Sequence, residues 1–242
     1  MSAALLQVAG LRAFYGAAQV LFDVEFEIAR GEVVALMGRN GAGKSTTLKA
    51  LMGLLPGTEG AVQFMGISIA RLAPYRIARL GLGYVPEERR IFTELTVAEN
   101  LEVGRQAGRH WPDGSAAPLW DPAALYRLFP NLGQMTGRPA GQMSGGEQQM
   151  LTVARTLMGN PLLVLLDEPS EGVAPLIVEQ MAHMIIEMKE RGVSILLSEQ
   201  NIHFAQLVCD RAYVLEKGQV RHSGSMEELA GSEAVQRAYL SL

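Results

Sequence analysis

Gly38-Arg39-Asn40-Gly41-Ala42-Gly43-Lys44-Ser45-Thr46 matches the phosphate-binding pattern G-x-x-x-x-G-K-[ST]. It follows the apolar run Val33–Met37 and precedes a helical pattern beginning near Leu48, the strand, loop and helix order that the pattern requires. Glycines let the backbone wrap closely around phosphate, and the amino end of the following helix adds a partial positive charge. The stretch therefore predicts a loop that binds a nucleoside triphosphate.

Two side chains of this loop suit the chemistry of a triphosphate. Lys44 would place a positive charge beside the β- and γ-phosphates, and the Ser45 hydroxyl is a hard oxygen ligand suited to Mg²⁺. The remaining residues are predicted to contact the nucleotide mainly through the backbone: Gly38, Arg39, Asn40, Gly41, Ala42, Gly43 and Thr46.

Composition limits the class of protein. The 242 residues are enough for one α/β domain, and a net charge of −4 without a basic block predicts no nucleic-acid partner. No apolar run approaches the roughly 20 residues that cross a bilayer, and the amino terminus lacks a signal-peptide pattern. The single cysteine, Cys209, excludes an internal disulfide and a cysteine-based zinc site. We expect a soluble protein of a reducing compartment.

The apolar pattern predicts an α/β fold. Short strands are expected in the first third, several of them antiparallel, at 5–8, 21–28, 33–37 and 61–64. Strands at 82–85, 162–167 and 193–198 alternate with helices at 146–158 and 176–191, which favours a parallel sheet covered on both faces. A hairpin is expected at 211–223 and a helix over 226–240. A mostly helical insert is expected from about residue 95, with an irregular loop at 104–122.

Two further motifs complete the predicted site. The buried strand that starts at Leu162 ends in Asp167 and Glu168, which places these acids at the ligand-binding edge of a parallel sheet. Asp167 would hold Mg²⁺ and Glu168 would polarise the attacking water. Ser144-Gly145-Gly146-Glu147 opens a helix and is a second predicted anion site.

Together these motifs resemble the ATP-binding cassette (ABC) ATPases over essentially the whole chain. The resemblance implies a P-loop fold with a RecA-like, mostly parallel core, an antiparallel β subdomain and a helical subdomain at about 95–158, all within one domain, 1–242. It also implies that Ser144–Glu147 contacts ATP bound to an opposite cassette and that Tyr15 stacks on adenine. The helical subdomain would dock onto transmembrane partners.

Three positions depart from the common family pattern. Glu87 stands where a glutamine is usual, Gln200 where a histidine is usual, and Ala174 where the dimer-contact loop has an aspartate. Glu87 can still ligate Mg²⁺, whereas Gln200 can donate a hydrogen bond to the γ-phosphate but carries no charge. His203 is a weaker candidate for the missing histidine, since it begins one helical turn further from the nucleotide.

The departures resemble one cassette of the branched-chain amino acid importers, and so does the tail Ala234–Leu240. This resemblance implies Mg²⁺-dependent ATP hydrolysis at the cytoplasmic face of the membrane by Lys44, Glu168 and Gln200. Its implied partners are a second nucleotide-binding subunit, two permease subunits and a solute-binding protein. Related urea or amide importers, lipopolysaccharide exporters and a weakly hydrolysing regulatory cassette remain alternatives. A soluble ABC ATPase acting on DNA or ribosomes and a small-molecule kinase fit the motifs less well.

Overall fold

The computed structural model describes residues 4–232 and is built around a six-stranded sheet in the order β10-β9-β3-β8-β7-β6. Neighbouring strands from β9 to β6 run parallel, and β10 is antiparallel to β9. The strands are β3 (Val33–Met37), β6 (Leu82–Val85), β7 (Leu163–Asp167), β8 (Ser194–Glu199), β9 (Arg211–Glu216) and β10 (Gln219–Ser225). The predicted α/β fold class with a mostly parallel core is confirmed.

A four-stranded antiparallel sheet covers one side of this core in the order β2-β1-β4-β5. Its strands are β1 (Leu6–Tyr15), β2 (Ala18–Ile28), β4 (Gly57–Phe64) and β5 (Ile67–Ser68). The first strand was expected to end at Val8, but it continues to Tyr15. The pairing register of β1 shifts between Val8 and Leu11, near Gly10. An irregularity of this kind breaks the two-residue alternation that reveals a strand in sequence.

The central strands are buried on both faces, which explains their continuous apolar sequences. In β3, Val33, Ala35 and Met37 face a core shared with the helices. Val34 and Leu36 face a second core beneath the antiparallel sheet. Because successive side chains of a strand point to opposite faces, one apolar run serves both cores.

Nine α-helices lie within residues 4–232. They are α1 (Lys44–Leu51), α2 (Pro74–Leu80), α3 (Val97–Gly104), α4 (Pro122–Leu128), α5 (Pro130–Gln134), α6 (Gly145–Leu157), α7 (Pro175–Glu190), α8 (Ile202–Val208) and α9 (Met226–Gly231). Helices α3 to α6 form the helical insert between β6 and β7. The sequence reading did not predict α2, and the predicted tail helix beyond residue 232 lies outside the described residues, as does the importer-like tail.

Residues 105–121 connect α3 to α4 as an irregular segment that is nevertheless packed. Trp111 and Trp120 are both buried. The buried side chain of Asn160 bonds the segment at both ends, donating to the Gln106 carbonyl at 2.8 Å and accepting from the Trp120 amide at 2.7 Å. Asn160 therefore anchors both ends of this irregular segment to the turn that precedes β7.

Every helix within residues 4–232 falls short of the length and apolar character needed to cross a membrane.

Candidate nucleotide-binding site

The phosphate loop connects β3 to α1 and is shaped by glycine. Gly43 has φ of 109°, and a β-carbon there would lie 2.8 Å from Leu21 Cδ2. Gly38 has φ of 153°, and a β-carbon there would lie 2.5 Å from the Leu215 carbonyl oxygen. A side chain at either position would displace the loop. The backbone can therefore approach a ligand closely, and the amino end of α1 faces it.

Lys44 is held at the centre of the loop. Its ammonium group donates to the carbonyl oxygens of Gly38 at 2.8 Å and Arg39 at 3.2 Å. It also forms an ion pair with Glu168 Oε1 at 3.0 Å, although only 3% of the lysine is exposed. Glu168 lies 124 positions further along the chain, so the fold brings the two predicted catalytic groups into contact.

Asp167 joins the phosphate loop to two neighbouring strands. Its Oδ1 accepts hydrogen bonds from Ser45 Oγ at 2.8 Å and Ser198 Oγ at 2.7 Å. Its Oδ2 accepts from the Tyr84 hydroxyl at 3.1 Å. Burial raises the pKa of Tyr84, and the neighbouring Asp167 charge adds to the effect, so the phenol remains a donor. Ser45 and Asp167 present hard oxygen atoms side by side, which fits Mg²⁺.

Glu168 begins the turn after β7 and has a left-handed backbone, with φ of 45°. Its amide donates to Ser198 Oγ at 3.1 Å, which fixes its position beside β8. Burial opposes ionisation of Glu168, but hydrogen bonds from Glu171 and Lys44 outweigh it and lower the pKa. The same bond to Glu168, then burial, raises the pKa of Glu171 to about 7. Glu168 is therefore the ionised member of this pair and is suited to polarising water.

The end of β8 carries Glu199 and Gln200. Glu199 is 2% exposed, and its Oε2 accepts from the amides of Gln200 and Asn201, each at 2.9 Å. Gln200 is half-buried at the edge of the sheet that carries Asp167. His203 is exposed in the first turn of α8.

The predicted second anion site forms the start of α6. Ser144 is its N-cap, and a capping box joins Ser144 to Glu147: the Glu147 amide donates to Ser144 Oγ at 3.4 Å and the Ser144 amide to Glu147 Oε2 at 2.7 Å. A β-carbon on Gly145 would lie 2.6 Å from Arg89 Nη1, and one on Gly146 would lie 2.8 Å from Ile177 Cγ1. The carboxylate of Glu147 thus caps the helix in this structure, a role that its spacing from Ser144 could have revealed.

The other predicted contacts are more dispersed. Tyr15 ends β1 and is 48% exposed, so its ring is accessible for stacking. Glu87 is exposed after β6, and among residues 4–232 no three acids, histidines or cysteines form a ready metal cluster. Ala174 is the exposed N-cap residue of α7. The roles of Tyr15, Glu87 and Ala174 stay predictions.

The sequence predicted the hairpin of β9 and β10 but not that its tip supports the phosphate loop. The Gly218 amide donates to the Ala42 carbonyl at 2.9 Å, and the Phe22 amide donates to the Gly218 carbonyl at 2.8 Å. Lys217 also lines a cavity of about 210 Å³ that lies against Arg39–Ala42. Tyr84, Ser198, Glu171 and Glu199 were missed too.

Comparisons with known proteins agree with this geometry. The ABC transporter family matches residues 21–171. The high-affinity branched-chain amino acid transport ATP-binding protein BraG of Pseudomonas aeruginosa is 41% identical over 94% of this chain and 95% of that protein. The lipopolysaccharide export system ATP-binding protein LptB of Haemophilus influenzae is 33% identical over 98% and 97%, respectively.

Solved structures give the same result. The ADP conformation of MJ1267, an ATP-binding cassette of an ABC transporter, is 25% identical and superposes with a TM-score of 0.79, covering 98% of both chains. An ATP-binding subunit of an ABC transporter at 31% identity has a TM-score of 0.78, covering 98% of this chain and 96% of that one. The phosphate loop, the Asp167–Glu168 pair and these matches together place the chain in the ABC transporter family, as an ATP-binding ATPase subunit.

Proposed function

We propose that this chain powers an importer of branched-chain amino acids from the cytoplasmic face of the membrane. BraG supports this solute class because it shares 41% identity with the chain, against 33% for LptB. The observation that best supports ATP hydrolysis is the ion pair of Lys44 with Glu168, which lies beside Ser45 and Asp167. These groups are a cation for phosphate, a base for water and oxygen ligands for a metal.

The site performs hydrolysis by exchanging partners of Lys44. When ATP enters, Lys44 leaves Glu168 for the phosphate oxygens, and the backbone amides of 41–46 bind the remaining phosphate charge. Glu168 is then free to orient water for in-line attack on the γ-phosphorus and to accept its proton. Ser45 and Asp167 would hold Mg²⁺, which neutralises phosphate charge, and Glu87 is a further proposed ligand. Gln200 donates a hydrogen bond to the γ-phosphate.

A second cassette completes the site in this proposal. Ser144, Gly145, Gly146 and Glu147 lie at the amino end of α6, where the helix dipole favours an anion. They would contact ATP held by the opposite subunit. Closing and opening of two such subunits would then transmit hydrolysis to two permease subunits, with a solute-binding protein delivering the amino acid.

A groove between the core and the helical insert is the proposed docking site for the permease. It has a volume of about 510 Å³ and is lined in part by Tyr75, Phe92, Val103 and Arg155. The first three are 56%, 48% and 54% exposed and line the same groove, and grouped exposed apolar side chains are typical of a contact surface.

Arg155 indicates the chemistry of the docked segment. Its guanidinium lies 5.0 Å from the centre of the Phe92 ring and donates to the Arg90 carbonyl at 2.6 Å. Burial lowers the pKa of Arg155, and its Nη1 is a buried donor without a hydrogen-bond partner within residues 4–232. A permease segment offering apolar side chains and one carboxylate or carbonyl acceptor would satisfy this donor.

Co-purification tests this docking site. Arg155→Ala should reduce recovery of permease with a tagged chain about tenfold, because one charged hydrogen bond contributes about 1.5–3 kcal/mol. Arg71→Ala is the matched control, since Arg71 is exposed and does not line the groove. Equal recovery with both variants would exclude Arg155 from the interface.

Mutation of Glu168 tests the catalytic assignment. Glu168→Gln removes the base while keeping a similar shape, so Mg²⁺-ATPase should fall by about 10²–10⁴-fold with ATP-dependent dimerisation retained. Light scattering measures the dimer, and Glu179→Gln on the exposed side of α7 is the control. Turnover within tenfold of the unmutated chain would contradict the role of Glu168. ATP binding by the unmutated chain without turnover or dimer formation would favour a partner cassette of different sequence.

Uptake by cells identifies the transported solute. Cells carrying Glu168→Gln in the chromosome should lose uptake of labelled leucine and retain uptake of urea. Loss of urea uptake instead would favour an amide importer, and a permeable outer membrane would favour lipopolysaccharide export. Normal transport in every assay would favour the regulatory cassette, for which the neutral Gln200 is the supporting observation.

A further inference from the structure

Glu199 is a buried carboxylate that the reaction proposed above does not use. It is 2% exposed at the last position of β8, where it pairs with Met37 immediately before the phosphate loop. Burial raises the pKa of Glu199, and hydrogen bonds from Ser170, Asn201 and Gln200 oppose that shift. Burial of a carboxylate costs desolvation free energy, so the hydrogen bonds that Glu199 makes indicate what the residue does here.

The two oxygens of Glu199 bind different loops. Its Oε2 accepts from the backbone amides of Gln200 and Asn201, each at 2.9 Å. Its Oε1 accepts from the hydroxyl of Ser170, which lies two residues after Glu168 in the turn that follows β7. One side chain therefore joins the turn that carries the proposed base to the turn that carries the proposed γ-phosphate contact.

Helix capping does not account for this arrangement. The amino end of α8 is already capped by Asn201, whose Oδ1 accepts from the amides of His203 at 3.0 Å and Phe204 at 3.2 Å. The bond from Ser170 contributes nothing to that cap, because Ser170 belongs to a separate loop.

We propose that Glu199 is a positioning residue that fixes Glu168 and Gln200 relative to each other through its bonds to Ser170 and the Gln200 amide. This inference rests on the proposed catalytic roles of Glu168 and Gln200. Glu168 is anchored on its other side by Ser198, whose hydroxyl accepts from the Glu168 amide at 3.1 Å. The turn that carries the base is thus held to β8 at two successive residues, Ser198 through Glu168 and Glu199 through Ser170.

Three variants separate positioning from simple structural support. Glu199→Ala removes the link, whereas Glu199→Gln keeps an oxygen for the two amides and offers an N–H to the Ser170 hydroxyl. Ser170→Ala breaks only the link to the base-carrying turn. Ser68→Ala, on the exposed strand β5, is the control.

Steady-state ATPase of the full chain with Mg²⁺ gives the first readout. Glu199→Ala and Ser170→Ala should lower kcat about 10- to 100-fold while KM changes less than about twofold, because misplacement affects the reacting groups more than nucleotide binding. Glu199→Gln should restore most of kcat. In a Gln200→Ala background, Ser170→Ala should cause little further loss. Full additivity of those two changes, or a kcat that is unchanged in Ser170→Ala, would overturn the proposal.

Hydrogen exchange gives a second readout that does not need turnover. Glu199→Ala should speed exchange in both segments, 169–174 and 200–202, and Glu199→Gln should reverse both effects. Faster exchange in 200–202 alone would show a local contact only and would overturn the link. If neither the unmutated chain nor its complex with a partner cassette hydrolyses ATP, the proposed catalytic roles fail, while the exchange result still decides whether Glu199 joins the two turns.

Discussion

Substituting Gly218 by alanine should damage both the stability of the chain and its nucleotide site. Lys217 and Gly218 have φ of 49° and 76°, which is the backbone of a tight hairpin turn between β9 and β10. A β-carbon on Gly218 would lie 1.9 Å from the Val20 carbonyl oxygen, closer than any van der Waals contact. The hairpin tip must then move away from β2 and from the Ala42 carbonyl that it supports.

Another glycine of the chain provides a matched control for the size of this stability loss. Gly31 has the same φ of 76°, but a β-carbon there meets no atom within 4 Å. Gly31→Ala should therefore cost only the left-handed conformation, about 1 kcal/mol of unfolding free energy. Gly218→Ala should cost that amount plus overpacking of about 1–3 kcal/mol, or about 2–4 kcal/mol in total.

Urea and thermal unfolding measure the loss of stability, and ATP titration measures the loss of nucleotide binding. Each kcal/mol should lower Tm by about 2–4 °C in a chain of this size. Because Gly218 donates to Ala42, Gly218→Ala should also weaken ATP binding about tenfold, equivalent to about 1.4 kcal/mol. Gly31→Ala should leave ATP binding unchanged. Equal stability losses in the two variants, or unaltered ATP affinity in Gly218→Ala, would refute the reasoning.

Three further predictions concern single side chains. Gln200→His should raise the ATPase rate of the assembled complex, because a histidine cation would face the phosphate. Glu199 would not bind this cation instead, since both of its oxygens already accept hydrogen bonds. An unchanged or lower rate would mean that glutamine suits its surroundings. The pKa of Glu171 is raised from its usual value of 4.5 to about 7 in the folded chain. Its contribution to the free energy of unfolding is therefore fully present below pH 4.5 and is lost as pH rises through 7. Melting curves from pH 5 to 8 should therefore show a steeper decline for the unmutated chain than for Glu171→Gln, and parallel curves would contradict the raised pKa. Burial, then the charge of Asp210, raises the pKa of Cys209, so Ellman's reagent at pH 8 should react about 100-fold more slowly than in urea; equal rates would contradict its burial.

The sequence predicted those parts of the site that are encoded by local patterns. The spacing of its glycines predicts the phosphate loop, and the position of Asp167 and Glu168 at the end of an apolar run predicts their place in the site. Each pattern needs only a strand end and a short following segment. The confirmed α/β fold follows from the same continuous apolar strands, since burial on both faces leaves no place for polar alternation.

The parts that were missed depend on contacts between distant segments. Ser198 reaches Asp167 because the two residues are paired in register on β7 and β8. Asn160 holds a segment whose two ends lie 40 and 54 residues away, and composition alone predicted only a loop there. Local propensity carries no information about strand register or about which polar group satisfies a buried backbone atom, so neither contact could be read from the pattern.

The charges at the carboxyl edge of the sheet explain why ATP binding here should depend steeply on Mg²⁺. Asp167, Glu168 and Glu199 are buried there, and Lys44 is the one buried cation among residues 4–232. A triphosphate adds negative charge to a site that already has an excess of acids, and Gln200 supplies no compensating charge. Binding of the triphosphate beside Glu168 therefore requires the backbone amides, Lys44 and a divalent cation at Ser45 and Asp167 together. Only their combined positive charge makes the phosphate more stable there than in water.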